Sequence, residues 1–309
     1  MEHYLVAMGV TAGIYAVMAL GMNVTWGMAG LINLGLVGFF GVGAYTSGLL
    51  TVKAGWPILA GVIAGVAAAA LTGAFVALIT VRLRGDYLAI VTLGFSETMR
   101  VIMSNELWIA NGTDGLSGIP GPWRASLGPH GFNLLFLMLT LVCVAALYFL
   151  FQRLSHSPFG RVLRGLREDE QVVQVAGKNV VAFKVKAFAV GAAALGLAGA
   201  LYAHFTSYIA PDLFAPLLTL YIKLSLLAGG LGNNRGAVLG AFVVVFFLES
   251  TRFFIPLLPG LTPVQGAALR ETLIAASLLL ILRVRAKGLI PEQIPQPPLP
   301  AEAPAPAKP

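Results

Sequence analysis

The chain has 309 residues, of which 58% are hydrophobic and only 11% charged, with 20 Lys and Arg against 13 Asp and Glu for a formal charge of +7. Soluble domains average about 25% charged residues, so this composition, with a mean hydropathy of +0.85, excludes a chain whose surface faces water throughout. The basic excess does not point to nucleic acid, because those residues collect in particular connections. The single cysteine, Cys143, excludes an intrachain disulfide.

Apolar runs approaching the roughly 20 residues that cross a bilayer as a helix fall at about 4–22, 29–50, 57–80, 87–104, 132–152, 186–207, 214–230, 236–254 and 264–283. The expected fold is an all-α polytopic bundle of about 8–10 spans, with a membrane domain over 1–287. The 36 glycines fit helices that pack in lipid by close backbone approach. No basic region precedes the first apolar run, so it reads as a retained helix and not a cleaved signal. One set of connections carries Arg82, Arg84, the island Arg153, Arg161, Arg164, Arg167, Lys178, Lys184 and Lys186, then Arg235, Arg283, Arg285 and Lys287. The opposite set carries Lys53 and Arg124. The bias toward basic residues on the cytoplasmic side places the island and the C-terminus inside and the N-terminus outside.

In chain order, the second run is dense in glycine, including Gly35 and Gly41. It fits either a tightly packed helix or a discontinuous one whose unwound backbone near Asn33 lines a pathway. Tyr45 of this run and Thr92 of the fourth join the candidate pathway residues. Glu97 and Arg100 stand three apart on one helical face and can pair. Ionisable groups at membrane depth raise a functional hypothesis, and a structural ion pair near the outer interface is the other reading. The connection from Asn105 to Asn133 is rich in Gly, Pro, Asn and Ser. It is expected to form an ordered cap, where Asn111, Thr113, Asp114 and Ser117 serve as gate residues or as ordinary turn formers.

The island runs from Arg153 to Lys186. Ser157-Pro158 is a helix-start signal, and Arg161, Arg164 and Arg167 follow at three-residue spacing. From Glu168 to Gly177 the spacing predicts a short amphipathic helix with Val172, Val175 and Ala176 on one side, ended by Gly177 and Asn179. Basic residues alone would describe a solvated loop. The amphipathic segment with a defined stop describes a docking surface.

Further on, Glu249 and Arg252 repeat the Glu97–Arg100 spacing, and Lys223 lies in a short span. The glycine-rich turn from Gly229 to Gly236 lacks the Lys-Ser/Thr of a phosphate-cradling loop. His3, His130, His156 and His204 fall at different depths, and no metal-ligand or nucleophile–base spacing supports an enzyme. Residues 288–309, rich in Pro and Ala, are expected to form a disordered cytoplasmic extension.

Together NLGLVGFFGVGAYTSGLL, RGDYLAIVTLGFSETMR, NGTDGLSGIP, GRVLRGLREDEQVVQVAGKNV, AGALYAH and AGGLGNNRGAVLGA resemble LivM-type permeases in identity and order. These are membrane subunits of ATP-binding-cassette importers for branched-chain amino acids and related solutes. The resemblance covers roughly residues 20–287. It implies two inverted halves around a central pathway and a coupling loop, similar to the EAA loop of such permeases, at Arg164, Arg167, Glu168, Asp169, Glu170, Val173 and Gly177. Gln171, Val172 and Val173 stand where alanines are common in the family. The implied partners are a second, LivH-like permease subunit, two ATPase subunits that use ATP, and a periplasmic binding protein, all at a bacterial inner membrane. No cofactor belongs to this chain. The alternative is an ion-coupled carrier of a small solute, using Glu97, Glu249 or Lys223.

Overall fold

The computed structural model describes residues 2–83, 85–254, 263–284 and 288–292. Helix α1 spans Glu2–Met22 and runs on through a π-helical turn at Asn23–Met28. It is followed by α2 (Leu36–Val52), α3 (Ile58–Thr80), α4 (Gly85–Asn105) and the single turn α5 (Leu107–Ala110). The long α6 (Arg124–His156) leads into α7 (Pro158–Glu168) and α8 (Glu170–Val175). The chain ends with α9 (Val180–Thr206), α10 (Pro216–Gly229), α11 (Asn234–Phe254) and α12 (Pro263–Val284). Each predicted span overlaps one of these helices. By length and composition five can cross a membrane, at 2–28, 58–80, 124–156, 180–206 and 234–251, while α2 and α10 are apolar but shorter. The protein is a multi-pass helical membrane protein.

Packing repeats between two quartets. In the first, α2 packs on α3 and α4, and α3 packs on α9. In the second, α10 packs on α11 and α12, and α11 packs on α1. The quartets cross where α1 meets α9. A Cβ on Gly21 would lie 2.8 Å from the Gly191 carbonyl, and one on Gly191 would lie 2.9 Å from the Gly21 carbonyl. Only hydrogen at both positions allows this backbone contact. The outward faces of α3 and α6 expose Leu59, Leu71, Phe75, Val142 and Phe149, a surface suited to lipid and too apolar for water.

Near its start α6 departs from helix at Gly128 (φ 65°), just before Pro129, because proline disfavours the helical region for its predecessor. The cap connection is ordered. Strands β1 (Leu116–Ser117) and β2 (Tyr208–Ile209) pair antiparallel across it, and Asn111 adopts the left-handed conformation (φ 59°) typical of turn residues. Buried His204 ties this end together. Its Nδ1 lies 2.7 Å from the Pro120 carbonyl, which can only accept, so Nδ1 carries the proton and Nε2 accepts from the Ser47 hydroxyl at 2.9 Å.

Two expectations are corrected. The predicted span 29–50 is helical only from Leu36, with residues 30–35 outside any helix. The predicted disordered extension does not begin at 288. Leu289 and Ile290 donate backbone hydrogen bonds to the Ala228 and Gly229 carbonyls at 2.9 and 2.8 Å, which anchors residues 288–292 against the end of α10. Arg84, Arg285, Lys287, the tail beyond residue 292 and the side chains of Arg252 and Arg270 lie outside the described residues.

Candidate functional site

The candidate coupling loop is a pair of self-capped helices. The Ser157 hydroxyl accepts from Gly160 N at 3.4 Å with Pro158 in the first turn. Asp169 ends α7 and begins α8, its carboxylate accepting from Gln171 N at 2.8 Å and Val172 N at 3.4 Å; the negative charge also suits a helix N-terminus. At the far end Gly177 N donates to Gln174 O at 3.0 Å and Lys178 N to Val173 O at 3.2 Å. This is a Schellman stop, and its left-handed residue is Gly177 (φ 74°). Asn179, expected to help end this helix, instead caps the next one, accepting from Ala182 N at 3.1 Å.

Within the loop the predicted residues divide into a foundation and an outer face. Val173 is buried against Gly165. Arg164 donates to the Ser155 carbonyl at 2.7 Å. Glu170 pairs with Lys184 at 2.9 Å, and buried Lys184 also donates to the Val81 carbonyl at 3.1 Å. Arg167 donates to the Gly27 carbonyl in the π-helical turn and pairs with Glu292 at 2.8 Å and Glu168 at 3.3 Å. The outer face carries Glu168, with its side chain 72% exposed, and the apolar pair Val172 and Val175, 63% and 90% exposed. Lys184 and Glu292 were missed as site residues. Lys184 reads in sequence as one more basic residue of the island, and no local spacing links Glu170 to it or Arg167 to a residue far along the chain.

The predicted pathway residues lie along a seam where α2 and α4 run parallel. Built Cβ atoms on Gly35, Gly38 and Gly41 would meet Thr92, Phe95 and Met103 in turn. Backbone groups of the unwound stretch are satisfied from several elements. Buried Asn33 accepts from Gly35 N at 2.8 Å. Thr92 of α4 accepts from Leu34 N at 3.0 Å and donates to Ala89 O at 3.0 Å. Thr219 of α10 donates to Leu34 O at 3.4 Å. Such backbone survives at membrane depth only with partners of this kind. Gly35 is required by space, because a Cβ there would lie 2.3 Å from the Thr92 carbonyl oxygen.

Farther along the seam, Tyr45 is buried with its ring 5.6 Å from that of Phe214. Glu97 and Arg100 pair at 2.9 Å with side chains about one-third exposed. Among the described residues, the Tyr45 hydroxyl and Glu97 Oε1 are the buried side-chain polar atoms without a hydrogen-bond partner. A separate apolar cavity of about 430 Å³ lies between α1, α9 and α10, lined by Tyr15, Phe40, Tyr202, Phe205 and Tyr221 among others, and none of the predicted pathway residues reaches it. Of the other charges read at membrane depth, Lys223 stands over the Trp26 ring at 5.4 Å and Glu249 accepts from the Tyr4 hydroxyl.

A sequence profile of the family described as "Branched-chain amino acid transport system / permease component" matches residues 4–282. The chain belongs to this family. It is 35% identical over 267 residues to the high-affinity branched-chain amino acid transport system permease protein LivM of Escherichia coli, covering 78% of this chain and 62% of that relative. It is 30% identical over 325 residues to the probable branched-chain amino acid transport permease protein LivM of Methanocaldococcus jannaschii, covering 91% of both. A more distant family member, the permease protein LivH of Escherichia coli, is 23% identical over 252 residues, 76% of this chain and 81% of that one. The chain thus spans about 62% of the length of the first of these relatives. No solved structure matches it significantly.

Proposed function

We propose that this chain is a membrane permease subunit of an ATP-binding-cassette importer that moves branched-chain or other small amino acids across a bacterial inner membrane. Separate ATPase subunits use the ATP and dock on α7–α8. A second, LivH-like permease subunit completes the pathway, and a periplasmic binding protein delivers the solute. The loop and the C-terminus face the cytoplasm and the N-terminus the periplasm, in keeping with the distribution of basic residues.

The observation that carries this reading is the outer face of α8. Val172 and Val175 stand in the open on a helix six residues long with a built cap at each end. Isolated helices so short are unstable in water, and an exposed apolar pair on a braced short helix fits a surface kept for a partner. Asn33, Gly35, Gly41, Tyr45, Thr92, Glu97 and Arg100 form the route in this proposal. The free hydrogen-bonding capacity of the Tyr45 hydroxyl and Glu97 Oε1 supports contact with a polar solute headgroup on the way through.

The double variant Val172→Glu, Val175→Glu tests the docking. Both side chains are exposed, so folding and membrane insertion should persist while co-purification of the ATPase subunits and ATP-driven uptake in proteoliposomes are lost. Retained co-purification and uptake would overturn the proposal. Uptake that continues without ATP and collapses with a proton or sodium gradient would replace it with an ion-coupled carrier.

A further inference from the structure

We infer that residues 288–292 link the docking loop to the helical bundle and that Glu292 is a positioning residue, setting the pose of α7 through Arg167; this rests on the docking role proposed above. The segment is built into the structure. Gly288 (φ 75°) lies so close to the end of α10 that a Cβ would come within 2.5 Å of Gly230. Leu289 and Ile290 donate to the Ala228 and Gly229 carbonyls, and Asn233 Nδ2 donates to the Pro291 carbonyl at 3.0 Å. Glu292 then packs on Gly232 (φ 82°), where a Cβ would lie 2.6 Å from its carboxyl carbon.

From this anchorage the Glu292 carboxylate reaches Arg167 Nη1 at 2.8 Å, with side-chain exposures of only 15% and 18%. An ion pair so enclosed holds its geometry better than one on an open surface. The guanidinium is a planar fork. Its Nη1 donates both to the Gly27 carbonyl in the π-helical turn that extends α1 and to Glu292, which is anchored against the turn between α10 and α11, while Nη2 faces Glu168. Gly30 closes the arrangement, since a Cβ there (φ 69°) would strike Arg167 Cγ at 2.8 Å.

Arg167 therefore joins the end of α7 to α1 through Gly27 and to the α10–α11 turn through Glu292, beside the Asn23 bonds that tie the π-helical turn to Gly232 and Asn234. A pull on α7–α8 reaches α10 and α11 through this pair. Without Glu292 the loop still folds, because its caps are local, and it can still engage an ATPase. The α10–α11 end of the bundle then follows the loop less faithfully, and hydrolysis runs ahead of transport.

The test compares Glu292→Ala and Glu292→Asp in the complete transporter, reconstituted in proteoliposomes with its ATPase subunits and binding protein. Glu292→Ala is expected to keep ATPase co-purification and to raise ATP hydrolysed per solute imported about fivefold, the factor that roughly 1 kcal/mol of lost pairing produces. Glu292→Asp, which restores a carboxylate, should return the ratio to within about twofold of wild type. Wild-type stoichiometry in Glu292→Ala would overturn the inference. So would loss of ATPase binding in step with loss of import, or an equally abundant Glu292→Asp as poorly coupled as the alanine variant. Failure of the docking reading itself would appear separately, as ATPase binding that survives glutamates at Val172 and Val175.

Discussion

The chain leaves regular membrane helix in two places that meet at Arg167, and they differ in where their capping comes from. The loop at 157–179 satisfies its backbone from within, with Ser157, Asp169 and Asn179 each capping residues two or three positions on and Gly177 closing α8. The stretch at 30–35 mixes local bonds, from Gly30 N to Trp26 O, Leu31 N to Thr25 O and Gly35 N to Asn33 Oδ1, with partners from elsewhere, since Thr92 of α4 and Thr219 of α10 hold Leu34 and the Arg167 side chain lies against Gly30. A locally capped loop can shift as a unit without exposing an unpaired backbone group. A stretch whose Leu34 amide and carbonyl are held by two other helices cannot move freely of them. That contrast suits a loop that takes up a partner's motion and a seam that must change together with the bundle.

Substitutions can break the contrast at either end. The largest effect is expected from Gly35→Val, which drives a side chain into the Thr92 carbonyl with only 2.3 Å available to the first carbon. Overpacking of this kind should cost about 3 kcal/mol or more, seen as a lowered Tm in detergent and poor recovery of folded protein. Thr92→Val keeps the shape and removes the acceptor for Leu34 N. A buried amide left without a partner costs about 2 kcal/mol, and hydrogen exchange should show 30–36 and α4 loosening together. Asp169→Ala removes one local cap at a cost of about 1 kcal/mol. Exchange should rise in 170–175 while the Tm of the whole protein stays near wild type. If Asp169→Ala instead loosened the seam as much as Thr92→Val, the division into local and shared capping would be wrong.

The same division decides what was legible in the sequence. The Ser157-Pro158 start and the Gly177 stop are visible because each residue acts on its near neighbours, and a glycine at a left-handed position follows from sterics alone. Asn179 was legible as a boundary but misassigned, since Asn serves both ends of helices, and only the fold shows that it begins α9. The break near Asn33 was one of two readings of a glycine-rich run. Glycines there serve both close packing and unwinding, and the decision lay with Thr92 and Thr219, far away in the chain.

By itself, the sequence determined that this is a helical membrane protein, where its spans fall, and that a capped amphipathic segment interrupts them, because hydropathy, turn chemistry and capping act over a few residues. Tertiary structure decided which face of that segment is foundation and which is free. It turned Lys184 from a topology marker into the buried partner of Glu170, and it drew Glu292 out of an apparently unstructured extension to meet Arg167. These are contacts between residues remote in sequence, set by how helices cross, and charge or periodicity read along the chain carries no trace of them.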